Sequence, residues 1–137
     1  MYLVDTNVIS EVGKRERCNP RVAAWWATVR DGDLFLSVLV LGEVRRGIEK
    51  LRARDRTRAA ALDEWLQQVT SAFAGRILSV DREVADVWGR IAARQPTAVI
   101  DGLLAATAIV HDLTLATRNV ADVRHCGAKV VDPFAEP

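Results

Sequence analysis

The chain has 137 residues, half of them hydrophobic, with 19 Lys plus Arg against 18 Asp plus Glu and a net charge of +1. That size fits one domain, 1–137, able to bury roughly two-thirds of its unfolded surface without staples, and the balanced charge excludes both a disordered tail and a polyelectrolyte. No apolar run approaches the ~20 residues of a membrane span, Met1-Tyr2-Leu3-Val4-Asp5 is too short and acidic for a signal peptide, and two cysteines, Cys18 and Cys126, make neither a disulfide framework nor a Cys-based zinc site.

A reduced, cytoplasmic domain with no membrane contact is therefore expected. Tyr2-Leu3-Val4 reads as a buried strand stopping at Asp5, and Asp5-Thr6-Asn7 caps a helix that carries Val8, Ile9 and Val12 and ends at Gly13. After a polar loop, Pro20 opens a second helix, with Val22, Trp25, Trp26 and Val29 facing inward and Gly32 as its stop. Leu34-Phe35-Leu36 is the next strand. Ser37 caps a helix whose apolar positions Leu41, Val44, Ile48 and Leu51 recur at helical spacing. Asp55 starts a long helix with Leu62, Trp65, Leu66 and Val69 on one side, and Ile77-Leu78-Ser79-Val80 returns to a strand. Asp81 introduces a helix through Val84, Val87, Trp88 and Ile91 that Gln95-Pro96 breaks. A strongly apolar helix, Val99 to Val110, precedes strands at Leu113–Thr117 and Lys129–Val131. Apolar strands alternating with helices predict an α/β fold with a short, mostly parallel sheet covered on both faces.

In such a sheet, ligands bind outside the carboxyl ends of the strands. Asp5 ends the first strand, Glu43 follows the second within two turns, Asp101 lies early in the apolar helix, and Asn119 and Asp122 follow Thr117. Four distant segments thus deliver acids or an amide to one edge. Asp5 also reads simply as a helix cap, and Glu43 as a solvated helix residue. Asp101 resists so plain a reading. Its neighbours Val99-Ile100 and Leu103-Leu104-Ala105-Ala106 are apolar, no Lys or Arg adjoins it, and an unpaired buried charge costs several kcal/mol. Two carboxylates ~5 Å apart repel by roughly 3 kcal/mol at an effective dielectric of about 20. A cluster of three therefore calls for a divalent cation, and oxygen-only ligation selects Mg²⁺ or Mn²⁺ over Zn²⁺. The chemistry that follows is metal-assisted hydrolysis of a phosphodiester.

Four blocks carry a further signal: Met1-Tyr2-Leu3-Val4-Asp5-Thr6-Asn7-Val8-Ile9-Ser10-Glu11; Ser37-Val38 with Glu43-Val44-Arg45-Arg46-Gly47-Ile48; Asp101-Gly102-Leu103-Leu104-Ala105-Ala106-Thr107-Ala108; and Leu113-Thr114-Leu115-Ala116-Thr117-Arg118-Asn119. In this order and spacing, which spans nearly the whole chain, they resemble the PIN-domain ribonucleases, in particular the VapC- and FitB-like toxins of toxin–antitoxin pairs. The resemblance implies a three-layer α/β/α sandwich and Mg²⁺- or Mn²⁺-dependent cleavage of single-stranded RNA. It also implies a homodimer inhibited by a cognate, DNA-binding antitoxin of the VapB or FitA kind. Carried over by position, Asp5, Glu43 and Asp101 match the acids around the metal, with Asp5 and Asp101 the direct ligands. The fourth polar position falls on Asn119, where some members carry Asp, and Asp122 is the nearest acid to take its place. Thr6 and Thr117 match hydroxyl positions that line this kind of site.

Arg45 and Arg46 adjoin Glu43 and are candidate substrate contacts, as is Arg118, which also reads as a neutraliser of the acids beside it. The remaining arginines between Arg52 and Arg58 read as a solvated helix surface, and the four tryptophans as core or interface. His111 and His125-Cys126 match no metal-ligand spacing, and the glycine patterns of dinucleotide and ATP sites are missing. Two further readings compete with the nuclease. One is a non-catalytic module of the same fold that docks a basic peptide or RNA, which Asn119 keeps open. The other, a phosphoaspartyl phosphatase with Asp5 as nucleophile, wants a second acid where Asn7 stands.

Overall fold

The first apolar run, Tyr2–Val4 (β1), becomes the middle strand of a five-stranded parallel sheet in the computed structural model, which describes residues 1–136. Leu34–Ser37 (β2) pairs on one side of it and Thr114–Ala116 (β4) on the other, so that Leu3 stands opposite both Phe35 and Leu115. Ile77–Leu78 (β3) and Val130–Val131 (β5) close the two edges, giving the spatial order β3-β2-β1-β4-β5. Leu3, Val4, Leu34, Leu36, Leu115 and Ala116 are all but fully buried. Continuous rather than alternating apolar strands are what a sheet covered on both faces requires.

The helices form the two covering layers. Thr6–Val12 (α1) and Pro20–Thr28 (α2) connect β1 to β2, and Val38–Arg52 (α3) and Arg56–Ala72 (α4) connect β2 to β3. These crossovers run in one direction along the sheet. The crossover from β3 to β4, through Arg82–Arg94 (α5) and Val99–Val110 (α6), runs back in the other. Right-handed connections therefore set α1–α4 on one face and α5–α6 on the opposite face, as the packing of α1 on α3, α3 on α4 and α5 on α6 bears out. A three-layer α/β/α sandwich results. Short side chains let α6 lie directly on β1 and β4: Gly102, Ala105, Ala106 and Ala108 are buried along it.

Local chemistry accounts for the boundaries. Asp5, Asn19, Ser37, Asp55 and Asp81 each accept a backbone N–H of the helix they open, satisfying donors that have no partner inside the helix. The structure differs from the sequence expectation in four places. The second helix stops at Thr28 rather than Gly32, because the Thr28 hydroxyl takes the Trp25 carbonyl and Val29 turns extended, leaving a 3₁₀ turn at Asp31–Asp33. The strand expected at 77–80 keeps only Ile77 and Leu78, which find partners in Leu36 and Ser37; Ser79 and Val80 are exposed. The strands near the C-terminus are trimmed to Thr114–Ala116 and Val130–Val131. A short helix, Val120–Val123 (α7), lies between them where the sequence pattern places no element.

Candidate active site

The strand order reverses direction between β1 and β4, and a parallel sheet opens a crevice at such a point, beyond the carboxyl ends of its strands. Among the described residues only four polar side chains are buried, and three of them, Asp5, Ser37 and Thr117, stand at the carboxyl ends of β1, β2 and β4. Polar groups cost free energy inside a protein unless they are hydrogen-bonded, and here each one is.

Asp5 is 5% exposed and caps α1. Its Oδ1 accepts the Thr6 N–H at 2.7 Å, and its Oδ2 accepts the Thr117 hydroxyl at 2.7 Å and the Asn7 amide at 3.3 Å. The carboxylate is thus fixed across the β1–β4 crevice by a residue 112 positions away. Asn7 ties the same two loops a second time: its Oδ1 accepts the Arg118 N–H at 3.1 Å, and its amide lies 3.4 Å from the Thr117 hydroxyl. Thr117 Oγ1 also accepts the Asn119 N–H at 3.1 Å, which orients the start of α7.

Glu43 reaches the site from the second turn of α3, and its Oε1 accepts the Thr6 hydroxyl at 2.7 Å. Asp101 lies in the first turn of α6, whose N-cap Ala98 supplies no capping side chain. Among the described residues the Asp101 carboxylate has no hydrogen-bonding side chain and no cationic partner, unlike that of Asp5. Its pKa is raised, first by burial and then by the negative charges of Asp5, Asp122 and Glu43. Three carboxylates from three other segments therefore act on Asp101 at this edge. No three of these acids are drawn together into a ready-made metal-binding group among the described residues. The donors are nonetheless all oxygen, and the least satisfied of them, Asp101, feels only like charges, which suits a hard divalent cation.

The remaining predicted residues divide. Asn119 and Asp122 lie at the rim and are exposed, Asn119 with its side chain free of any capping bond to α7. Arg45 turns away from Glu43 along its helix into an ion-pair network with Glu49, Asp63 and Arg52 that joins α3 to α4. Those guanidinium groups hold Asp63 and Glu49 below the ordinary carboxylate range. Arg46 is exposed and makes no ion pair among the described residues. The Arg118 guanidinium lies over the Phe134 ring, 4.6 Å from its centroid, and only its backbone joins the site. Asn7 is the residue that sequence reasoning passed over as part of a cap. Its available signal was its place two residues after Asp5 in the same first helical turn.

A crevice of carboxylates at the switch point of this sandwich defines a PIN domain, and the chain belongs to the PIN-domain family: the family's model matches residues 2–123. The chain is 37% identical to Toxin FitB of Neisseria gonorrhoeae, over 98% of its own length and 99% of that protein's. It is 32% identical to VapC ribonuclease Y4jK of Sinorhizobium fredii, over 98% of both. The crystal structure of FitAcB from Neisseria gonorrhoeae superposes with a TM-score of 0.91 at 36% identity, covering 99% of this chain and 100% of that one. VapBC-1 from nontypeable Haemophilus influenzae, at 17% identity and a TM-score of 0.75, shares the fold over 98% of both chains.

Proposed function

We propose that the chain is a divalent-metal-dependent endoribonuclease, the toxin of a toxin–antitoxin pair. The reading is supported by Asp5 and Glu43, held at the β1–β4 crevice by Thr117 and Thr6, acting with Asp122 on the unpartnered Asp101, in a chain that resembles a VapC ribonuclease along its whole length. Asp5 and Asp101 would hold Mg²⁺ or Mn²⁺ with Glu43 beside them. Bound there, the ion supplies the positive charge that polarises a phosphoryl oxygen and activates water. The chain's own part is preorganisation. Thr117, Asn7 and the Thr6 N–H fix Asp5, so one ligand is in place before the ion arrives. Thr6 aims Glu43, a carboxylate able to take a proton from the attacking water. Asn119 and Asp122 line the rim where the RNA strand enters.

The partner is a cognate DNA-binding antitoxin, by similarity to the toxin of the FitAB complex bound to a DNA fragment. A homodimer and a cytoplasmic setting complete the proposal; no helix among the described residues is long and apolar enough to cross a membrane. The purified protein should cut single-stranded RNA in Mg²⁺ or Mn²⁺ and stop when chelator is added. Asp5→Asn and Asp101→Asn should lower kcat by at least about a hundredfold while circular dichroism stays native. Undiminished cutting by both variants would remove the reading. A second reading, a non-catalytic module that docks a cationic partner, is favoured by the lack of a preformed three-ligand group. It predicts a protein that binds no Mn²⁺ by calorimetry and never cuts RNA.

A further inference from the structure

A cleft of about 410 Å³ runs from the acidic crevice between α1 and the α3–α4 pair. Thr6 and Glu43 form one end of it, so it opens directly onto the candidate active site. Lys14, Arg17 and Arg58 stand around it, and the Trp65 indole forms a wall. Its floor is apolar, from Val44 and Ile48 of α3 and Leu62 of α4. Lys14 is paired with Glu11 at 3.0 Å. Arg17 and Arg58 are exposed and make no ion pair among the described residues. An acidic reaction centre thus continues into a pocket with an apolar interior and two free guanidinium groups, of a size that suits a small ligand.

We infer that this cleft is the subsite for the nucleotide next to the scissile phosphate, with Arg17 and Arg58 on backbone phosphates and the base against Trp65. The inference rests on the ribonuclease reading above and extends it. The acids that hold a metal repel an approaching polyanion, so the strand needs compensating positive charge close by, and the two unpaired arginines stand where that charge is required. Guanidinium groups recognise phosphate through paired N–H donors. An aromatic wall accepts any base, since every base has an apolar face. Trp65 packs closely against Gly13, where a Cβ would come within 2.7 Å of the indole.

The test uses the full chain and its variants Arg17→Gln, Arg58→Gln, the double variant, and Arg58→Lys as the conservative control. Cleavage kinetics on a single-stranded RNA are measured alongside the affinity for an oligouridylate by fluorescence anisotropy across a salt series. The double variant should raise KM roughly tenfold with kcat little changed. Its salt dependence should fall by about 0.7 in log–log slope for each phosphate that is no longer neutralised. Arg58→Lys should retain more affinity than Arg58→Gln. A double variant that melts like wild type and keeps its KM and salt slope would overturn the subsite while leaving the nuclease intact. Unchanged KM with weakened binding of the antitoxin would also overturn it, by giving the cleft to a protein partner. A wild-type protein that neither binds nor cuts RNA would instead take down the ribonuclease reading, and the subsite with it.

Discussion

Asp5 and Asp101 are both carboxylates at the mouth of one crevice, yet their surroundings are opposite. Asp5 is enclosed by donors, whereas Asp101 faces only burial and like charge. The linkage follows. On raising the pH the unfolded chain releases the Asp101 proton first and the folded chain holds it longer, so folding stability falls as pH rises through the folded-state value. Well below the ordinary aspartate value of about 3.9, Asp101 is neutral in both states and contributes nothing. Asp101→Asn should therefore raise the Tm of the metal-free protein at neutral pH by a few degrees, with the gain vanishing in acid; thermal melts at a series of pH values read this directly. Thr117→Val should act the other way, stripping Asp5 of its shortest side-chain donor and costing about 1–3 kcal/mol in urea unfolding. Asp101 was legible in the sequence because a carboxylate amid Val, Ile and Leu demands an explanation. Asn7 was not, because an amide at a helix start has a sufficient local reason to be there, and its bonds to Thr117 and Arg118 join segments that only the fold brings together.

The first five helices were the most legible elements, since each combines an apolar face with a capping side chain, as Ser37 and Asp81 show. Strand edges were not, because the extent of a strand depends on its neighbour: β3 ends at Leu78 where its pairing with β2 ends. The α1–α4 contact was equally hidden. Gly13, at the end of α1, has an ordinary helical φ of −63°, so its lack of a side chain serves space and not backbone freedom. A Cβ there would lie 2.7 Å from Trp65 Cε2 and Cζ2. Gly13→Ala should destabilise the protein by about 1–3 kcal/mol and shift tryptophan emission as α4 is displaced. Denaturant unfolding with fluorescence detection measures both.

At the scale of the molecule, the alternation of strands and helices announced a parallel sheet, but nothing in it ordered the strands as β3-β2-β1-β4-β5. That order depends on which crossover turns back, and helix pairs such as α3–α4 and α5–α6 read alike whichever way they cross. The sheet edge where the acids gather followed once the fold class was set, because every parallel strand points its carboxyl end the same way. The nearly neutral chain, +1 overall, keeps a concentrated negative charge at that edge. A divalent cation bound there stabilises the folded state by mass action: Mn²⁺ at about 100 times its dissociation constant should add about 2.7 kcal/mol. Tm should rise with Mn²⁺ for the wild type and stay level for Asp101→Asn.

The hydrogen bond from Thr117 to Asp5 has a consequence in time. β1 sits at the centre of the sheet, and one of its two flanking strands is made more than a hundred residues after it. A nascent chain therefore carries Asp5 with the crevice unbuilt until β4 has been made, because long-range parallel pairing forms slowly and late. Under the ribonuclease reading, the chain emerges from a machine made of RNA before its cutting edge is assembled.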